Sequence, residues 1–506
     1  MTLTTPVWPT GSISDALDIG VQTDAPRSVM DVGTLVGIAL RHNPKRAHLL
    51  VSTVLAKHVP TVPGIALAAG ELLGLLVSAA ITDSSEPSVD GAGVPRRAHE
   101  FGDRLTALVG RLTEETGAVT PDEARSARRD LTALRRDIRT ATTPHPDVVT
   151  LGYAETATGL GQLVADALTA YYLHSTRHAP AGATPFAGFA EEHSHATDHT
   201  LLPTDAEWLR HGGTTILVDD ELSTGTTVIN TITALHALSP QAHWVVASLI
   251  DLRSGADRAR FDDLAAGLGT RIDVVCLAAG SITLPADVLP RAGRMIESMP
   301  AAAPGPSAGG EVLLLDCTDL APIRSARFGT RTPADTGLAA TIARRVAALL
   351  PVAEPDPADR GVLVLGSEEF IALPMLIADE LDGLEHDGAE LDGAEQDGAA
   401  PERGVRFSTS TRSPIATLDQ ADYPIQSAIS FRSHDVTSDG IGVRFAYNLT
   451  TARRRFGTVV FLPEPGTDPA TLDGPDGVLD AIRRVSDRVV VVLLTASAPS
   501  DRTPAP

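Results

Sequence analysis

The sequence is poor in lysine, cysteine and aromatic residues. Lysine occurs only at Lys45 and Lys57, and cysteine only at Cys276 and Cys317, while aromatic residues make up 4% of the chain. The two cysteines have no His or Cys at metal-ligand spacing, which argues against a disulfide framework and against a structural zinc site. We therefore expect two buried cysteines that act as small hydrophobic residues.

Positive charge is also scarce. The chain has 41 basic and 64 acidic residues and a net charge of -23. Because binding to a polyanion requires a cationic face, this balance argues against a general nucleic-acid or membrane-surface binder. We find no apolar run of about 18 residues and no signal-peptide pattern at the start, so the sequence predicts no membrane span and a cytoplasmic location.

The two lysines lie within one short segment of a chain that otherwise uses arginine. An ammonium is a compact point charge, whereas a guanidinium is a broad planar fork, so a site that needs the former resists replacement by Arg. We interpret Lys45 and Lys57 as candidate catalytic cations. The alternative is that they are two leftover surface lysines.

Changes in composition divide the 506 residues into two α/β domains. Short strands alternate with helices in both, a pattern typical of a parallel sheet. An acidic repeat carries eight acids and no basic residue, and it lacks the twelve-position calcium-loop pattern, so we interpret it as a solvated insertion. The predicted segments are a loose arm (1–24), a first domain (25–298) with a buried helix (64–81) and a helical insertion (about 95–142), a linker (299–310), a second domain (311–497) with the acidic insertion (381–402), and a tail (498–506).

The most informative segment is a strand, a tight turn and a helix over residues 216–228. The strand ends on Asp219 and Asp220, and the turn that follows is rich in hydroxyl groups and contains Gly225. Open α/β sheets bind ligands at the carboxyl ends of their strands, and the N–H groups of a helix start bind phosphate. Two carboxylates beside a phosphate suit the two free hydroxyls of a ribose, so the segment predicts a site for a 5-phosphoribosyl group.

This segment resembles the binding motif for 5-phosphoribosyl 1-pyrophosphate (PRPP) in type I phosphoribosyltransferases. Glu221 departs from that motif, because an apolar residue is usual there. Ser223 departs as well, because members that move a proton at this position carry Asp, so a general acid or base role for Ser223 is in doubt. The resemblance implies that PRPP is bound by Asp219, Asp220, Ser223, Thr224, Gly225, Thr226 and Thr227, with Mg²⁺ held at Asp219 and Asp220 directly, through the ribose hydroxyls or through water.

The same fold implies a pyrophosphate loop after an earlier strand. Residues 151–161 again run from strand through a turn of small residues to a helix. The resemblance places the pyrophosphate on a loop formed by Ala154, Glu155, Thr156, Ala157 and Thr158, with the hydroxyls of Thr156 and Thr158 assisting. The alternative is a strand-to-helix corner that happens to contain glycine.

A polar, histidine-containing stretch lies between these two motifs, at residues 172–199. In phosphoribosyltransferases the corresponding stretch is a mobile loop that closes over the reaction centre and excludes water. On this basis Arg177, His193 and His195 join the lysines as candidate catalytic residues. A zinc site and a solvated polar loop remain as alternatives for the group Glu191, Glu192, His193, His195, Asp198 and His199.

A wider set of segments carries a closer resemblance. Residues 41–46, Lys57 with His58, the 152–159 turn, residues 191–195 and the tetrapeptide Thr411-Arg412-Ser413-Pro414 are similar to the phosphoribosyltransferases of tellurium-resistance and stress-response gene clusters. The second domain of those proteins is named TRSP for the tetrapeptide. The resemblance covers roughly residues 28–295 and 311–462, and it implies a type I phosphoribosyltransferase sheet followed by a second α/β domain.

The same resemblance suggests two further ligand-binding groups. Asn43, Arg46 and His58 belong to a hood over the acceptor. In the second domain, a ligand site is predicted at Glu368, Glu369, Thr411, Arg412 and Ser413, because hydroxyls around one cation suit an anion. The alternative for that group is an N-cap cluster with a structural arginine.

The resulting hypothesis is a Mg²⁺-dependent enzyme that transfers the 5-phosphoribosyl group of PRPP to an unidentified small-molecule acceptor and releases pyrophosphate. The resemblance implies a nucleoside-like product, partner proteins from the same gene cluster and a possible homodimer. Two alternatives stay open at this point. One is a PRPP-sensing regulatory protein without turnover, and the other is the reverse reaction, pyrophosphorolysis or hydrolysis of a ribonucleotide.

Overall fold

The computed structural model describes residues 13–41, 48–82, 95–113, 120–178, 185–190, 198–299, 309–331, 333, 335–351, 361–391, 404–420, 422–434, 441–451 and 454–498. The strands are β1 (Gly20–Thr23), β2 (Val36–Leu40), β3 (His48–Ser52), β4 (Val149–Gly152), β5 (Tyr171–His174), β6 (Ala187–Ala190), β7 (Asp198–Leu201), β8 (Thr214–Leu222), β9 (His243–Asp251), β10 (Arg271–Thr283), β11 (Glu311–Asp316), β12 (Val362–Gly366), β13 (Val405–Thr409), β14 (Ala428–Arg432), β15 (Val443–Tyr447), β16 (Thr458–Leu462) and β17 (Arg488–Leu493). The α-helices are α1 (Ile13–Leu17), α2 (Val32–Leu35), α3 (Pro63–Thr82), α4 (Arg96–Thr113), α5 (Pro121–Ala141), α6 (Thr158–Leu168), α7 (Thr226–Leu238), α8 (Gly255–Leu268), α9 (Val288–Ser298), α10 (Thr336–Ala347), α11 (Ala372–Leu391) and α12 (Val478–Arg483).

The first domain is built on a six-stranded sheet in the order β1-β10-β9-β8-β4-β5. All neighbouring pairs are parallel except β1 with β10. Ile216 and Val218 of β8 enter the core that contains α3, whereas Leu217 enters the core formed with α7 and α8. A parallel strand covered on both faces is apolar at successive positions, which is why β8 reads as an unbroken hydrophobic run.

Helix α3 is the apolar centre of this domain. It is long and apolar enough to cross a membrane by length and composition, but 83% of its apolar window is buried inside the protein. Glu71, in the middle of the helix, pairs with Arg135 at 3.1 Å and with Arg139 at 3.1 Å, both from α5. These contacts place α3 as a core helix, covered on one side by α4 and α5.

The second domain has a five-stranded parallel sheet in the order β11-β17-β16-β12-β13. Val364 of β12 packs into a core with α10 and α11, while its neighbours Leu363 and Leu365 pack into a core with α12. The hairpin β14–β15 lies against α12. Both domains therefore have parallel sheets between helices, as the sequence predicts.

The two domains are joined through backbone and side-chain contacts. Antiparallel bridges link Arg41 to Ile415, Thr61 to Phe407 and Tyr172 to Thr330. Arg135 of α5 pairs with Asp379 of α11 at 2.7 Å. Burial opposes the charge of Arg135, yet the carboxylates of Asp379 and Glu71 raise its pKa above the ordinary value. The interface therefore contains a buried ionic group as well as shared strand edges.

The structure differs from the sequence-based expectation in three places. Residues 13–23 form α1 and β1, where a loose arm is expected, because β1 pairs with β10 and Leu17 is buried. Helix α11 continues to Leu391, into the acidic insertion. The sequence pattern predicts a helix over residues 159–171, but α6 ends at Leu168 because Thr169 terminates it in a left-handed conformation, and Tyr171 starts β5. Both cysteines are free and buried, as expected.

Candidate active site

The acidic motif lies at the carboxyl end of β8, next to the turn into α7. Asp219, Asp220 and Glu221 are partly buried, and the backbone N–H of Asp220 donates to the Asp219 carboxylate at 3.0 Å. Burial and the neighbouring charge of Glu221 raise the pKa of Asp220, while Lys57 opposes that shift. The strand end therefore brings several carboxylate oxygens together, and the Lys57 ammonium acts on them electrostatically.

The turn after these acids presents hydroxyls and backbone N–H groups together. Gly225 is the N-cap of α7 and adopts φ +73°, and as a glycine it has no side chain to cap the helix. The Thr226 N–H donates to the Thr224 hydroxyl at 3.3 Å, and the hydroxyls of Thr224 and Thr226 lie 3.0 Å apart. N–H groups at a helix start bind anions, and they lie here beside converging hydroxyls. The turn thus has the chemistry of a phosphate site.

Gly225 is required by its surroundings within the protein. A Cβ at this position would lie 2.5 Å from Cε2 of Phe261, and the positive φ disfavours any L side chain. The side chain of Arg253 packs over the Phe261 ring at 4.2 Å and pairs with Asp251 at 2.9 Å. This buried support sets the position of the turn.

Arg260 is a cation beside the turn that the sequence analysis missed. Its guanidinium donates to the Thr226 hydroxyl at 3.3 Å, and its side chain is 45% exposed. Arg260 lies on α8, a helix absent from the sequence-based expectation. Only the packing of α8 against the turn brings it to the site.

The predicted pyrophosphate loop follows β4, the strand beside β8. The Tyr153 N–H donates to the Val218 carbonyl at 3.1 Å, and the Ala154 N–H donates to the Ser175 hydroxyl at 2.9 Å. The peptide bond between Ala154 and Glu155 is cis. A Cβ on Gly152 would lie 2.6 Å from the Tyr172 hydroxyl, so the close packing of this corner requires glycine. The loop is therefore held at the same sheet edge as the acidic motif.

Thr158 departs from the role expected for it. Its buried hydroxyl donates to the Glu369 carbonyl of the second domain at 3.0 Å and lies 3.3 Å from the Glu155 carbonyl. The resemblance implies that this hydroxyl assists pyrophosphate binding. In the structure it instead joins the loop to the second domain.

Lys57 reaches the pyrophosphate loop from the segment between β3 and α3. Its Nζ lies 2.9 Å from Glu155 Oε1 and donates to Thr156 Oγ1 at 2.8 Å, with side-chain exposures of 4% for Lys57 and 6% for Glu155. Burial opposes ionisation of Glu155, but the Lys57 ammonium together with Arg177 and Arg412 lowers the pKa of Glu155 to about 2. Lys57 is therefore a buried cation at the site and not a leftover surface lysine.

His58 is buried beside Lys57. Burial and the Lys57 charge lower the pKa of His58 to about 3, so its imidazole is neutral at neutral pH. Its ring contacts that of Tyr447 edge-on, with centroids 5.9 Å apart. Within the described residues its Nε2 has no hydrogen-bond partner.

The root of the predicted closing loop is tied to the pyrophosphate loop. Ser175 Oγ, which accepts from Ala154, lies 2.9 Å from Nδ1 of His199, and Nε2 of His199 lies 3.3 Å from the Arg177 guanidinium. Strands β6 and β7 form the hairpin that carries the loop. The predicted residues Asn43, Lys45, Arg46, His193 and His195 lie outside the described residues, as do Glu191 and Glu192 of the zinc alternative.

The predicted second-domain residues meet the first domain at this point. Glu369 accepts from Thr176 Oγ1 at 2.7 Å and from the Arg177 N–H at 2.9 Å. It also lies 3.4 Å from Arg327, which pairs with Glu464. Burial opposes ionisation of Glu369, but His178 and Arg327 hold its pKa well below the ordinary value. Glu369 thus anchors the end of β5, and it also lines a cavity described below.

The Thr-Arg-Ser-Pro segment follows β13. Arg412 Nε lies 2.9 Å from Glu368 Oε2 and 3.6 Å from Glu155 Oε2. The Tyr447 hydroxyl donates to the Ser413 carbonyl, and the Ser413 N–H donates to the Thr411 hydroxyl at 3.3 Å. The sequence predicts an anionic ligand for this group, with a structural arginine as the alternative, and in the structure the Arg412 guanidinium pairs with Glu368 and reaches Glu155 of the predicted pyrophosphate loop.

A cavity of about 320 Å³ lies between the domains, apart from the strand-end acids. It is lined by Tyr172 and His174 of the first domain and by Arg324, Phe370 and Glu464 of the second, among others. Burial lowers the pKa of His174, so its imidazole is neutral at neutral pH. Asp219 and Asp220 do not line this cavity, but Thr158 of the predicted pyrophosphate loop and Glu369 do, so it lies beside that loop.

Two protein-family models match this chain, one in each of its two α/β domains. A family model described as phosphoribosyl transferase matches residues 35–281, and a model for the TRSP domain C-terminal to that transferase matches residues 324–482. A search of curated proteins finds no significant match.

Two solved structures are similar to part of the first domain. One is adenine phosphoribosyl transferase from Trypanosoma brucei in complex with AMP, pyrophosphate and ribose-5-phosphate, at 15% identity and a TM-score of 0.21, covering 31% of this chain and 65% of that chain. The other is adenine phosphoribosyltransferase from Saccharomyces cerevisiae, at 16% identity and a TM-score of 0.18, covering 31% of this chain and 81% of that chain. Residues 35–281 therefore belong to the phosphoribosyl transferase family, a family of pentosyltransferase enzymes, and residues 324–482 form the TRSP domain that follows the transferase in that family.

Proposed function

We propose that this protein transfers the 5-phosphoribosyl group of PRPP to a small-molecule acceptor and releases pyrophosphate. The observation that carries the proposal is the adjacency of two loops on neighbouring strands. Gly152 of β4 is paired with Val218 of β8, so the acidic turn and the 154–158 loop start side by side at one sheet edge. PRPP has a phosphate and a pyrophosphate on either side of one ribose, which requires two anion sites on either side of hydroxyl acceptors.

The ribose 5-phosphate half fits the turn after β8. In this assignment the 5-phosphate lies on the N–H groups that begin α7 and on the hydroxyls of Ser223, Thr224, Thr226 and Thr227. Arg260 adds a charge at the same place. Asp219 and Asp220 accept hydrogen bonds from the two ribose hydroxyls.

The pyrophosphate half fits the loop after β4. Backbone N–H groups of the loop bind its oxygens, and the nearby cations Lys57 and Arg177 balance the charge that develops as it leaves. Because Lys57 is buried, its attraction is less screened than that of a surface lysine. The hairpin β6–β7 then closes the site against water, which competes with the acceptor for the ribosyl group.

The carboxylate oxygens at the end of β8 fit Mg²⁺. This ion prefers oxygen ligands and usually keeps several waters. Burial and the neighbouring Glu221 carboxylate raise the pKa of Asp220, and a cation at this strand end would offset both effects. Asp219 and Asp220 would hold it, directly, through the ribose hydroxyls or through water. Bound there, Mg²⁺ neutralises charge on the departing pyrophosphate.

The reaction requires positioning more than acid–base chemistry from the protein. The bond between C1 of the ribose and the pyrophosphate oxygen breaks, pyrophosphate leaves with the electron pair, and a lone pair of the acceptor forms the new bond to C1. The described residues at the β8 turn offer Ser223 where an acid or base would stand, so the rate arises from fixed geometry and electrostatic stabilisation.

The test uses the full chain with PRPP, MgCl₂ and an extract of small metabolites. We expect magnesium-dependent release of pyrophosphate together with new masses that carry a phosphoribosyl group. Binding of PRPP without release would instead favour a PRPP-sensing regulatory protein. If calorimetry detects no PRPP binding, the proposed function is wrong.

Several finer expectations belong to the same proposal. They are a nucleoside-like product, a role in a tellurium or stress-resistance gene cluster with partner proteins, a cytoplasmic location and a homodimer. The product and the gene cluster are supported by the resemblance of residues 41–46 and the Thr-Arg-Ser-Pro tetrapeptide, and the cytoplasmic location by the sequence pattern alone. All of them, the homodimer included, stay predictions.

A further inference from the structure

One cation of the second domain reaches a carboxylate on the pyrophosphate loop of the first. Arg412 Nε lies 3.6 Å from Glu155 Oε2, on the side of the carboxylate opposite Lys57, which pairs with Oε1. The Arg412 side chain is 13% exposed. Glu155 is therefore held between a cation from each domain.

The charge of Glu155 presents a problem for the proposed reaction. It lies on the loop whose N–H groups are proposed to bind pyrophosphate, and two negative groups in a buried site repel each other strongly. A neighbouring cation removes that repulsion. Burial disfavours the ionised carboxyl. Lys57, with a smaller contribution from Arg412, nevertheless lowers the pKa of Glu155 to about 2, so both cations act on this carboxylate.

The second domain holds Arg412 in place for this contact. Glu368 Oε2 pairs with Arg412 at 2.9 Å, and its Oε1 pairs with Arg444 at 2.6 Å. Glu368 itself has φ +45°, and its N–H donates to the Ser410 hydroxyl at 3.1 Å. Arg412 is thus oriented by the buried Glu368, which lies just after β12 and is itself held by Arg444 of β15.

We propose that Arg412 is a positioning residue of the transferase site, which neutralises Glu155 so that the 154–158 loop accepts the pyrophosphate group of PRPP. The inference rests on the proposed function. It assigns the TRSP segment a role in the first domain's reaction: the second domain completes the pyrophosphate half of the site. The two carboxylates that Arg412 contacts, Glu368 and Glu155, both lie outside the turn after β8 that is proposed to bind the ribose 5-phosphate half.

The experiment measures binding of Mg²⁺-pyrophosphate and of ribose 5-phosphate to the full chain by calorimetry. The variants are Arg412→Gln, Glu155→Gln and the double variant. Arg455→Gln is the matched control, because Arg455 is a second-domain arginine of similar exposure, 16%, that among the described residues pairs with Asp487 at 2.8 Å and not with Glu368 or Glu155. Arg412→Lys tests rescue by charge, and thermal unfolding of every variant reports folding.

We expect Arg412→Gln to weaken pyrophosphate binding by about ten- to a hundredfold, the range of a lost charged contact, and to leave ribose 5-phosphate binding within about threefold. Arg455→Gln should change both affinities by less than about threefold, and Arg412→Lys should recover part of the loss. In the Glu155→Gln background the Arg412→Gln change should cost less than about threefold, because no carboxylate remains to be neutralised.

Two results would overturn the inference. One is pyrophosphate binding of wild-type strength in folded Arg412→Gln, and the other is an equal loss with and without Glu155. If the wild-type chain binds neither pyrophosphate nor ribose 5-phosphate, the proposed function itself fails, which is a different outcome from either of these.

Discussion

The Glu369 carboxylate of the second domain accepts a hydrogen bond of 2.7 Å from the Thr176 hydroxyl of the first. The same carboxylate accepts from the Arg177 N–H, at the point where β5 leads into the predicted closing loop. The stability of this strand end therefore depends on a residue of the other domain.

Replacing Glu369 should loosen the strand end. Glu369→Gln keeps the shape but removes the charge that Thr176, Arg177 and Arg327 share, and we expect a loss of about 1.5–3 kcal/mol in the free energy of unfolding. Hydrogen exchange at the Arg177 amide should become faster. Glu464→Gln is the control, since Glu464 pairs with Arg327. Equal exchange rates at Arg177 in both variants would contradict this prediction.

Lys57 should not tolerate arginine. Its ammonium fits a buried space between Glu155 and Thr156, and the larger planar guanidinium cannot reproduce both contacts. We expect Lys57→Arg to lower turnover by about ten- to a hundredfold, with a smaller loss of PRPP affinity. Steady-state rates are measured together with thermal midpoints, so that a loss of turnover can be separated from a loss of folding. Full activity in Lys57→Arg would contradict the prediction and would indicate a structural role for Lys57. Lys45→Arg tests the same prediction for the other lysine.

Glu155 should make stability depend on acid pH. Its pKa falls from 4.5 to about 2 on folding, so the stability it contributes is present above pH 4.5 and is lost as the pH falls toward 2. In this window the unfolded chain binds one proton more at this residue. The slope of unfolding free energy against pH should therefore be shallower in Glu155→Gln than in wild type, by at most about 1.4 kcal/mol per pH unit. Urea titrations between pH 3 and 6 measure it, and identical slopes would contradict the prediction.

Gly225 should be more sensitive to alanine than another left-handed glycine. Gly225 and Gly269 have φ of +73° and +63°, but a Cβ meets Phe261 only at Gly225 and has nothing within 4 Å at Gly269. We expect Gly269→Ala to cost about 1–2 kcal/mol from the backbone alone, and Gly225→Ala to cost more. Urea unfolding of both variants compares them. Equal costs would show that Phe261 moves aside, and a loss of PRPP affinity in Gly225→Ala must be corrected for folding.

The sequence allowed prediction of those parts of the site that local chain order determines. The turn after β8 and the loop after β4 each combine a hydrophobic strand, small residues and a helix start within about a dozen positions. The chemistry of each can therefore be predicted from residues that are neighbours in the sequence. The roles of Arg260, Arg412 and Glu369 depend on packing between elements far apart in the chain. No local pattern states that Glu369 faces Thr176 or that Arg412 faces Glu155.

The same reason explains the misplaced expectations in the fold. Residues 20–23 have no strong strand pattern and become β1 because they pair with the edge of β10. The sequence predicts that the Thr158 hydroxyl binds a ligand, whereas in the structure this hydroxyl donates to the Glu369 carbonyl of the second domain. Tertiary partners decide both positions.

The most direct test of PRPP binding at the end of β8 is calorimetry of PRPP with Mg²⁺ on wild type and on Asp219→Asn with Asp220→Asn. Both side chains are partly exposed at a strand end, so the double variant should keep its thermal midpoint within a few degrees. We predict that PRPP affinity falls by about a hundredfold or more, because each carboxylate accepts from a ribose hydroxyl or holds the metal. Unchanged PRPP affinity in the folded double variant would contradict the assignment of this site.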